Sequence, residues 1–404
     1  MLHAMLKKVA ILVLSVLGTA VSAGDLVTRT AQVHSIDHGY EAMLINALEK
    51  IGDNRIHEAL DELEMLTRLQ PDFKLAQLVY GDLLLARSRP ITEFGNNYNA
   101  PLDVIDSLRE EARVRWQHHI SPLAESRIPR SLIELNASQQ YAIVVDLESS
   151  RLYLFENRKG VPELFDDFYV TIGKNGFGKY KEGDQKTPTG VYFITGFIEQ
   201  EELPDLYGGG AFPLNYPNAW DIRLNRTGYG IWLHGTPTGT YNRPPRDSDG
   251  CVIVSNRDLQ RLSDYIAIGE TPVVLAEQID WLSRDEWQNK RRQFDQFVEQ
   301  WRRDWESRDA DRYLSHYSQT FTGLGNDYQS WVNYKRRVNP SKEYIRVKLS
   351  ETSMFLYPGR EDVLVVTFVQ DYDSDNFQRR YVKRQYWQKE KDGKWRIIYE
   401  GSVS

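Results

Sequence analysis

The chain has 404 residues, 41% of them hydrophobic and 26% charged, with 50 Lys+Arg against 57 Asp+Glu. That composition is globular rather than disordered, and the length suits two to four domains. A formal charge of −7 excludes a generally basic nucleic-acid binder, and a single cysteine excludes an internal disulfide framework and a cysteine-ligated zinc or iron–sulfur centre within one chain.

Residues 1–23 read as a secretory signal. Lys7 and Lys8 form a short positive region, residues 9–21 an apolar one, and Val21-Ser22-Ala23 puts small side chains at the cleavage positions. The apolar run falls short of the ~20 residues of a spanning helix, which favours a cleaved signal over an uncleaved anchor. A mature chain in the periplasm is therefore expected, with 48 Lys+Arg against 57 Asp+Glu once residues 1–23 are removed.

Residues 24–139 form a helical region and a connector. Apolar residues recur at helical spacing through Leu44, Ala47, Leu48 and Ile51, then Ile56, Leu60, Leu63 and Leu66, then Leu75, Leu78, Val79 and Leu83. Gly52 and Pro71 punctuate them. The Glu58-Ala59, Pro71-Asp72 and Gly81 positions resemble one tetratricopeptide repeat and the start of another, an array too short to bury much alone. His118 and His119 end a further helix and read as a surface pair. Pro122 and Pro129 mark the connector.

From 140 to 278 the texture is β-rich. Strand-like runs at 141–146 and 151–155 flank Glu148-Ser149-Ser150 as a hairpin, followed by pieces at 168–172, 190–195, 230–234 and 252–254. Residues 283–404 read as α+β. Ser283 and Glu286 make a capping box before a helix carrying Phe294, Phe297, Val298, Trp301 and Trp305. Strands are expected at 344–349, 354–357, 363–370, 381–388 and 395–399, with turns at Pro358-Gly359 and Asp392-Gly393. Residues 281–404 hold seven of the ten tryptophans, and Trp301 and Trp305 share a helix face, which favours core filling over sugar stacking.

The chemistry gathers in the central region. Its only cysteine, Cys251, and its only histidine, His234, stand 17 positions apart. Cysteine and histidine make a minimal thiol nucleophile and base. His234 ends one apolar strand and Cys251 opens another, so adjacent strand ends would bring them within reach. Gly250 frees the backbone just before the thiol, where the N–H groups of Gly250 and Cys251 could face an oxyanion. Residue types alone fit equally a core thiol and an unrelated loop imidazole.

The surrounding strings are more specific. His234-Gly235-Thr236, followed by Ser248-Asp249-Gly250-Cys251, resembles the catalytic signature of the YkuD-type L,D-transpeptidase domain. Gly183-Asp184-Gln185-Lys186-Thr187-Pro188-Thr189-Gly190-Val191-Tyr192 resembles a second block of that family, and Val144-Val145-Asp146 with Arg151-Leu152-Tyr153 its first hairpin. The stretch from Leu214-Asn215-Tyr216-Pro217-Asn218 to Gly230-Ile231-Trp232-Leu233-His234-Gly235 resembles the branch of YafK-like murein hydrolases. The last region, ending in Trp395-Arg396-Ile397-Ile398-Tyr399, is similar to the SnoaL-like (nuclear-transport-factor-2-like) cone. That domain order looks like the cell-shape L,D-carboxypeptidases. The fold class expected is thus multidomain: an N-terminal α-helical (TPR-like) region, a catalytic domain at 140–278 and an α+β cone at 283–404.

The resemblance implies an enzyme of peptidoglycan stem peptides. Cys251 would attack the carbonyl of the third stem residue, His234 would pass the thiol proton to the departing D-Ala amine, and Gly250 and Cys251 would hold the oxyanion. The Gly235 carbonyl would orient the imidazole. Water resolving the thioester gives L,D-carboxypeptidase or endopeptidase activity, and an amine gives L,D-transpeptidase activity. Neither a cofactor nor a metal is implied. The sequence departs from the family's pattern twice. Asp249 replaces the His that many members carry before Gly-Cys, and Ile253 replaces the Arg that many transpeptidases carry after it. A cationic anchor for a substrate carboxylate must then come from elsewhere, with Arg243 and Arg246 as candidates, and the hydrolytic branch is favoured. Tyr216 and Trp220 are candidates to line the cleft, with core packing as the alternative. Gly208-Gly209-Gly210 reads as a lid hinge or a plain loop. A second reading, from another class, is a wall-binding scaffold whose helical and cone domains recruit other cell-wall proteins. The intact Cys–His pair argues against it.

Overall fold

The computed structural model describes residues 39–91, 94–95, 101–123 and 126–403. The expected signal segment lies outside them. Among the described residues no helix is long and apolar enough to cross a membrane. The chain forms two compact units, Met1–Pro122 with Thr236–Asp247, and Leu123–Gly235 with Ser248–Ser404.

The first unit is built on helices Gly39–Gly52, Ile56–Leu69, Lys74–Ala86 and Leu102–Ile120. The expected apolar faces meet in one core of Leu44, Ala47, Ile51, Leu60, Leu63, Leu66, Leu75, Val79 and Leu83. The segment Thr236–Asp247 folds with these helices. Tyr241 lies on Phe73 with ring centroids 4.6 Å apart and edge-on to Tyr40 at 5.7 Å. Asn242 donates to the buried Glu111 carboxylate at 2.6 Å, which also takes Arg115 at 2.9 Å. The His118–His119 pair lies at the end of its helix as expected, with His119 half-exposed beside Glu49 at 2.8 Å.

In the second unit, strand Tyr141–Asp146 turns back into Arg151–Arg158 as the expected hairpin, with Ser150 in the left-handed region at φ 54°. A five-stranded sheet follows, in the order Val161–Tyr169, Arg151–Arg158, Tyr141–Asp146, Pro272–Ala276, Gly190–Phe193. The parallel pairing of Tyr141–Asp146 with Pro272–Ala276 closes the fold over a long sequence separation. A smaller sheet orders Val252–Ile253, Trp232–His234 and Ala211–Pro213. Both rest on a core containing Ile143, Leu152, Phe168, Tyr192, Leu233 and Val252.

The C-terminal part curls a seven-stranded sheet around helices Arg284–Glu306, Ala310–Leu314 and Tyr328–Val338. Ser283 and Glu286 form the expected capping box, and Trp301 and Trp305 are buried in the core. Strand Tyr317–Gly323 and helix Tyr328–Val338 were not expected from the sequence, and two further details differ. The strands expected at 344–349 and 354–357 are one strand, Ile345–Leu356, with a register shift between Ser350 and Ser353 and Glu351 at φ 50°. That bulge breaks the alternation of side chains and mimics a turn in the sequence. The connector also carries structure: Leu132–Glu134 adds an edge strand to Ile345–Leu356, and the Trp287 indole donates to the Leu132 carbonyl at 2.7 Å. One buried cluster joins Val144, Val191, Phe193 and Val274 of the catalytic sheet to Phe355, Val365, Tyr386 and Ile398 of the cone. The catalytic and cone regions therefore form one packed body.

Candidate active site

Strands Val252–Ile253 and Trp232–His234 run parallel, with Ile253 opposite His234 and Val252 opposite Leu233. Side chains alternate along a strand, so the register sets Cys251 and Ile253 on the same face as His234. The imidazole is 3% exposed. Its Nδ1 lies 2.7 Å from the Gly235 carbonyl oxygen, which accepts only from an N–H, so Nε2 is the nitrogen able to take a proton. Backbone bonds pin the strand, with Val254 N–H donating to the His234 carbonyl at 3.0 Å and Gly235 N–H to the Tyr207 carbonyl at 3.2 Å. The Tyr207 ring packs edge-on to His234 at 5.0 Å.

Gly235 has no room for a side chain. A Cβ there would stand 2.0 Å from the Asn256 side-chain oxygen and 3.1 Å from the Gly209 nitrogen. That oxygen takes the Gly209 N–H at 2.9 Å, which ties the glycine run at 208–210, just before strand Ala211–Pro213, to the start of helix Asn256–Ser263.

Cys251 is half-buried, and its thiol donates to the Gly230 carbonyl at 3.4 Å. Ser248 staples the turn before it. Its hydroxyl accepts the Gly250 N–H at 3.0 Å and donates to the Cys251 carbonyl at 2.7 Å. The Gly250 N–H, expected to face an oxyanion, is thus engaged within the turn and reaches a substrate oxygen only by leaving Ser248. Gly250 itself sits at φ 127°, with a Cβ position 2.8 Å from the Lys186 carbonyl, so both conformation and space demand glycine.

The Lys186 carbonyl belongs to the second motif block, which has a structural logic of its own. Asp184 takes the Lys179 ammonium at 2.8 Å and the N–H groups of Tyr180, Lys181 and Lys186 at 2.8, 3.0 and 3.2 Å. Burial pushes its carboxyl up, but Lys179 and these N–H groups outweigh it and hold it at about 2. Thr187 accepts the Gly173 N–H at 2.9 Å. The block shapes a loop whose backbone abuts the nucleophile turn.

Asp249 accepts from Lys174 at 3.2 Å and from the Gln185 amide at 2.9 Å. The carboxylate that stands where many members carry His is thus bonded locally, within the loops around the turn. Burial raises the Tyr207 phenol, and the neighbouring Cys251 and Asp249 raise it further.

Other candidates are placed elsewhere. Tyr216 is buried at 6% with its hydroxyl on the Thr227 carbonyl at 3.0 Å, and Trp220 at 3% stacks on Tyr386 with centroids 6.4 Å apart. Both are core residues rather than cleft walls, because the cone supplies the aromatic surface that covers Trp220. Arg243 is held by the Asp247 carboxylate at 2.9 Å, and Arg246, exposed, opens the short strand Arg246–Ser248 that leads into the nucleophile turn. Among the described residues no group of acidic, His or Cys side chains could hold a metal ion. Tyr207, Asn256, Lys174 and the Ser248 hydroxyl were not marked by sequence reasoning. Only Ser248 lay inside a recognised string.

Comparison with known proteins agrees with this geometry. Residues 140–275 match the L,D-transpeptidase catalytic domain, and residues 293–401 match the Cds6 C-terminal NTF2-like domain. The structure of Bdellovibrio bacteriovorus Bd1075 is 35% identical, covering 69% of this chain and 98% of that one with a TM-score of 0.62. The helical cell shape determining protein Pgp2 of Campylobacter jejuni is 24% identical, covering 70% and 97% with a TM-score of 0.55. The comparison with curated proteins gives no match. The chain belongs to the L,D-transpeptidase family, with an NTF2-like domain following the catalytic one.

Proposed function

We propose that this chain is an exported cysteine acyl-enzyme that cuts peptidoglycan stem peptides at the L,D bond after the third residue and releases the terminal D-residue, as an L,D-carboxypeptidase. The observation that carries the reading is the parallel pairing that sets Cys251 and His234 on one sheet face, with the imidazole tautomer fixed by the Gly235 carbonyl. The Cys251 sulfur attacks the third residue's carbonyl carbon while His234 Nε2 takes the thiol proton. Collapse of the tetrahedral intermediate breaks the C–N bond, and His234 gives the proton to the leaving amine. Water then attacks the thioester, His234 takes a proton from it, and the free thiol returns as the stem's new carboxylate departs. The Cys251 N–H is the oxyanion donor, joined by Gly250 once its N–H leaves Ser248. The buried, apolar Ile253 offers no cation where a transpeptidase of the usual pattern carries Arg, which supports hydrolysis over transfer. Export is supported by the N-terminal sequence, and a role in cell-wall remodelling and cell shape by the family and by the description of the Campylobacter protein.

The test is incubation of the mature chain with a disaccharide tetrapeptide, followed by mass spectrometry, beside Cys251→Ala. Loss of the terminal D-residue without larger products, absent in the variant, is expected. Cross-linked or amino-acid-exchanged products would convert the reading to transpeptidase. Inertness on tetrapeptide and cross-linked muropeptides alike would sink it.

A further inference from the structure

A carboxypeptidase substrate differs from a cross-linked stem in one charged group, the free carboxylate of its terminal residue. Recognising it at a half-open site calls for a cation. Ile253 is apolar and 2% exposed. Lys179 is buried against Asp184, and Arg226 is bound to Asp221 at 3.0 Å.

Lys174 is different. Its N–H donates to the Ser248 carbonyl at 2.7 Å, so its backbone is fixed to the turn that presents Cys251. Its ammonium lies 3.2 Å from Asp249, with the two side chains 45% and 70% exposed. An exposed pair of this kind adds little to stability. Asp249 does not depend on Lys174 alone, because Gln185, held at φ 56°, donates to the same oxygen at 2.9 Å. Asp249 stands two residues before Cys251, so the ammonium beside it belongs to the nucleophile's own turn. An ammonium carries three donors, so Lys174 can keep Asp249 and still take a second carboxylate.

We propose that Lys174 is the specificity-determining cation of this site, receiving the free carboxylate of the stem's terminal D-residue while Asp249, itself held by Gln185, keeps its ammonium in place. This rests on the carboxypeptidase reading above, but its geometry can be tested without turnover. Cys251 is the only cysteine, so thiol alkylation reports on this site alone. Iodoacetate carries a carboxylate and iodoacetamide does not.

The ratio of their rate constants is measured for the purified chain, for Lys174→Gln and for Lys186→Gln, whose backbone also abuts the turn. Lys174→Gln should lower the iodoacetate preference about fivefold or more, and Lys186→Gln should leave it within about twofold. On peptides, the wild type should prefer the tetrapeptide to its C-terminal amide. Lys174→Gln should lose that preference through KM, with kcat nearly unchanged, and Lys174→Arg should restore part of it. An unchanged alkylation ratio in Lys174→Gln, or a ratio moved by Lys186→Gln instead, overturns the proposal. Absence of D-residue release from the wild type would overturn the carboxypeptidase reading, while the alkylation ratio would still decide whether Lys174 faces the thiol.

Discussion

The turn around Cys251 and the interior of the cone both gather ionisable groups, and they treat them in opposite ways. In the cone, Glu400 is 3% exposed and takes Lys383 at 2.7 Å, Gln385 at 2.9 Å and the Tyr317 hydroxyl at 3.1 Å. Lys335, 6% exposed, lies 4.5 Å from the ring centroids of both Trp305 and Trp331. Glu400 is answered by hydrogen-bond donors from within, whereas the Lys335 ammonium is set against aromatic faces. At the Cys251 turn the backbone is what is buried and fixed, by Ser248, Gly235 and the loop under Gly250, while Asp249 and Lys174 remain open to solvent. A rigid backbone beneath exposed charges lets a ligand displace water without reorganising the protein. The comparison makes separable claims: damage to the catalytic backbone should cost activity, and damage to the cone's charges should change stability and its pH dependence.

The largest effect is expected at Gly235. Alanine there would drive a Cβ into the Asn256 side-chain oxygen, 2.0 Å away, and push aside the carbonyl that holds the His234 ring. Gly235→Ala should reduce kcat about 100-fold with a near-native melting temperature. Asn256→Ala removes the clashing atom, so Gly235→Ala with Asn256→Ala should recover part of the loss. A double-mutant cycle in kcat/KM should show coupling of about 1 kcal/mol or more. Strict additivity would mean that the close approach does not set the ring's position.

A smaller loss is expected at Asp184, one loop removed from the thiol. Asp184→Asn keeps the shape but turns an acceptor for Lys179 and three N–H groups into a poorer one, and kcat/KM should fall about tenfold. The pH sign follows from a folded value of about 2, below the ordinary 3.8. The carboxylate's stabilisation is complete above about pH 4 and is lost as pH falls through about 2. Pepsin should therefore begin to cut wild-type residues 174–187 only toward pH 2, and cut the Asn variant across the whole range from 4 to 2. Identical cleavage profiles would remove Asp184 as the organiser of the loop.

How much of this was legible beforehand depends on sequence distance. His234, Gly235, Gly250 and Cys251 sit in two short strings, because the strand-end geometry they need is local, and the hairpin at Ser150 was readable for the same reason. Tyr207, Asn256 and Lys174 come from separate segments that meet only when Ala211–Pro213 pairs with Trp232–His234 and Thr171 bridges Ile253. Nothing local marks them. Tyr216 and Trp220 show the converse hazard. They lie close to the catalytic strings in sequence, but Trp220 is covered by Tyr357 and Tyr386 from the cone, a contact no local pattern encodes. The bulge at Ser350–Ser353 likewise hid one long strand behind what read as two.

The smallest change, and the sharpest test of the sealed cone, is at Lys335. Desolvation brings its ammonium down to about 7, against the attraction of Glu400. Between that value and the ordinary 10.5 the unfolded chain holds a proton that the folded one lacks, so unfolding free energy rises with pH across this window. Below about 7 both states are protonated and the folded state bears the whole cost of burying the charge. Lys335→Met removes that cost and leaves Glu400 with Lys383, Gln385 and Tyr317. The variant should be more stable than wild type by about 1–3 kcal/mol at pH 6, with the gap narrowing toward pH 10, in urea titrations at each pH. Turnover at pH 7 should be unaffected, since the cone's interior takes no part in the chemistry at Cys251. A variant less stable at pH 6 would mean that the aromatic rings around the ammonium outweigh its desolvation. The cone would then be holding a charge it prefers, as the Cys251 turn does, and the contrast between the two regions would fail.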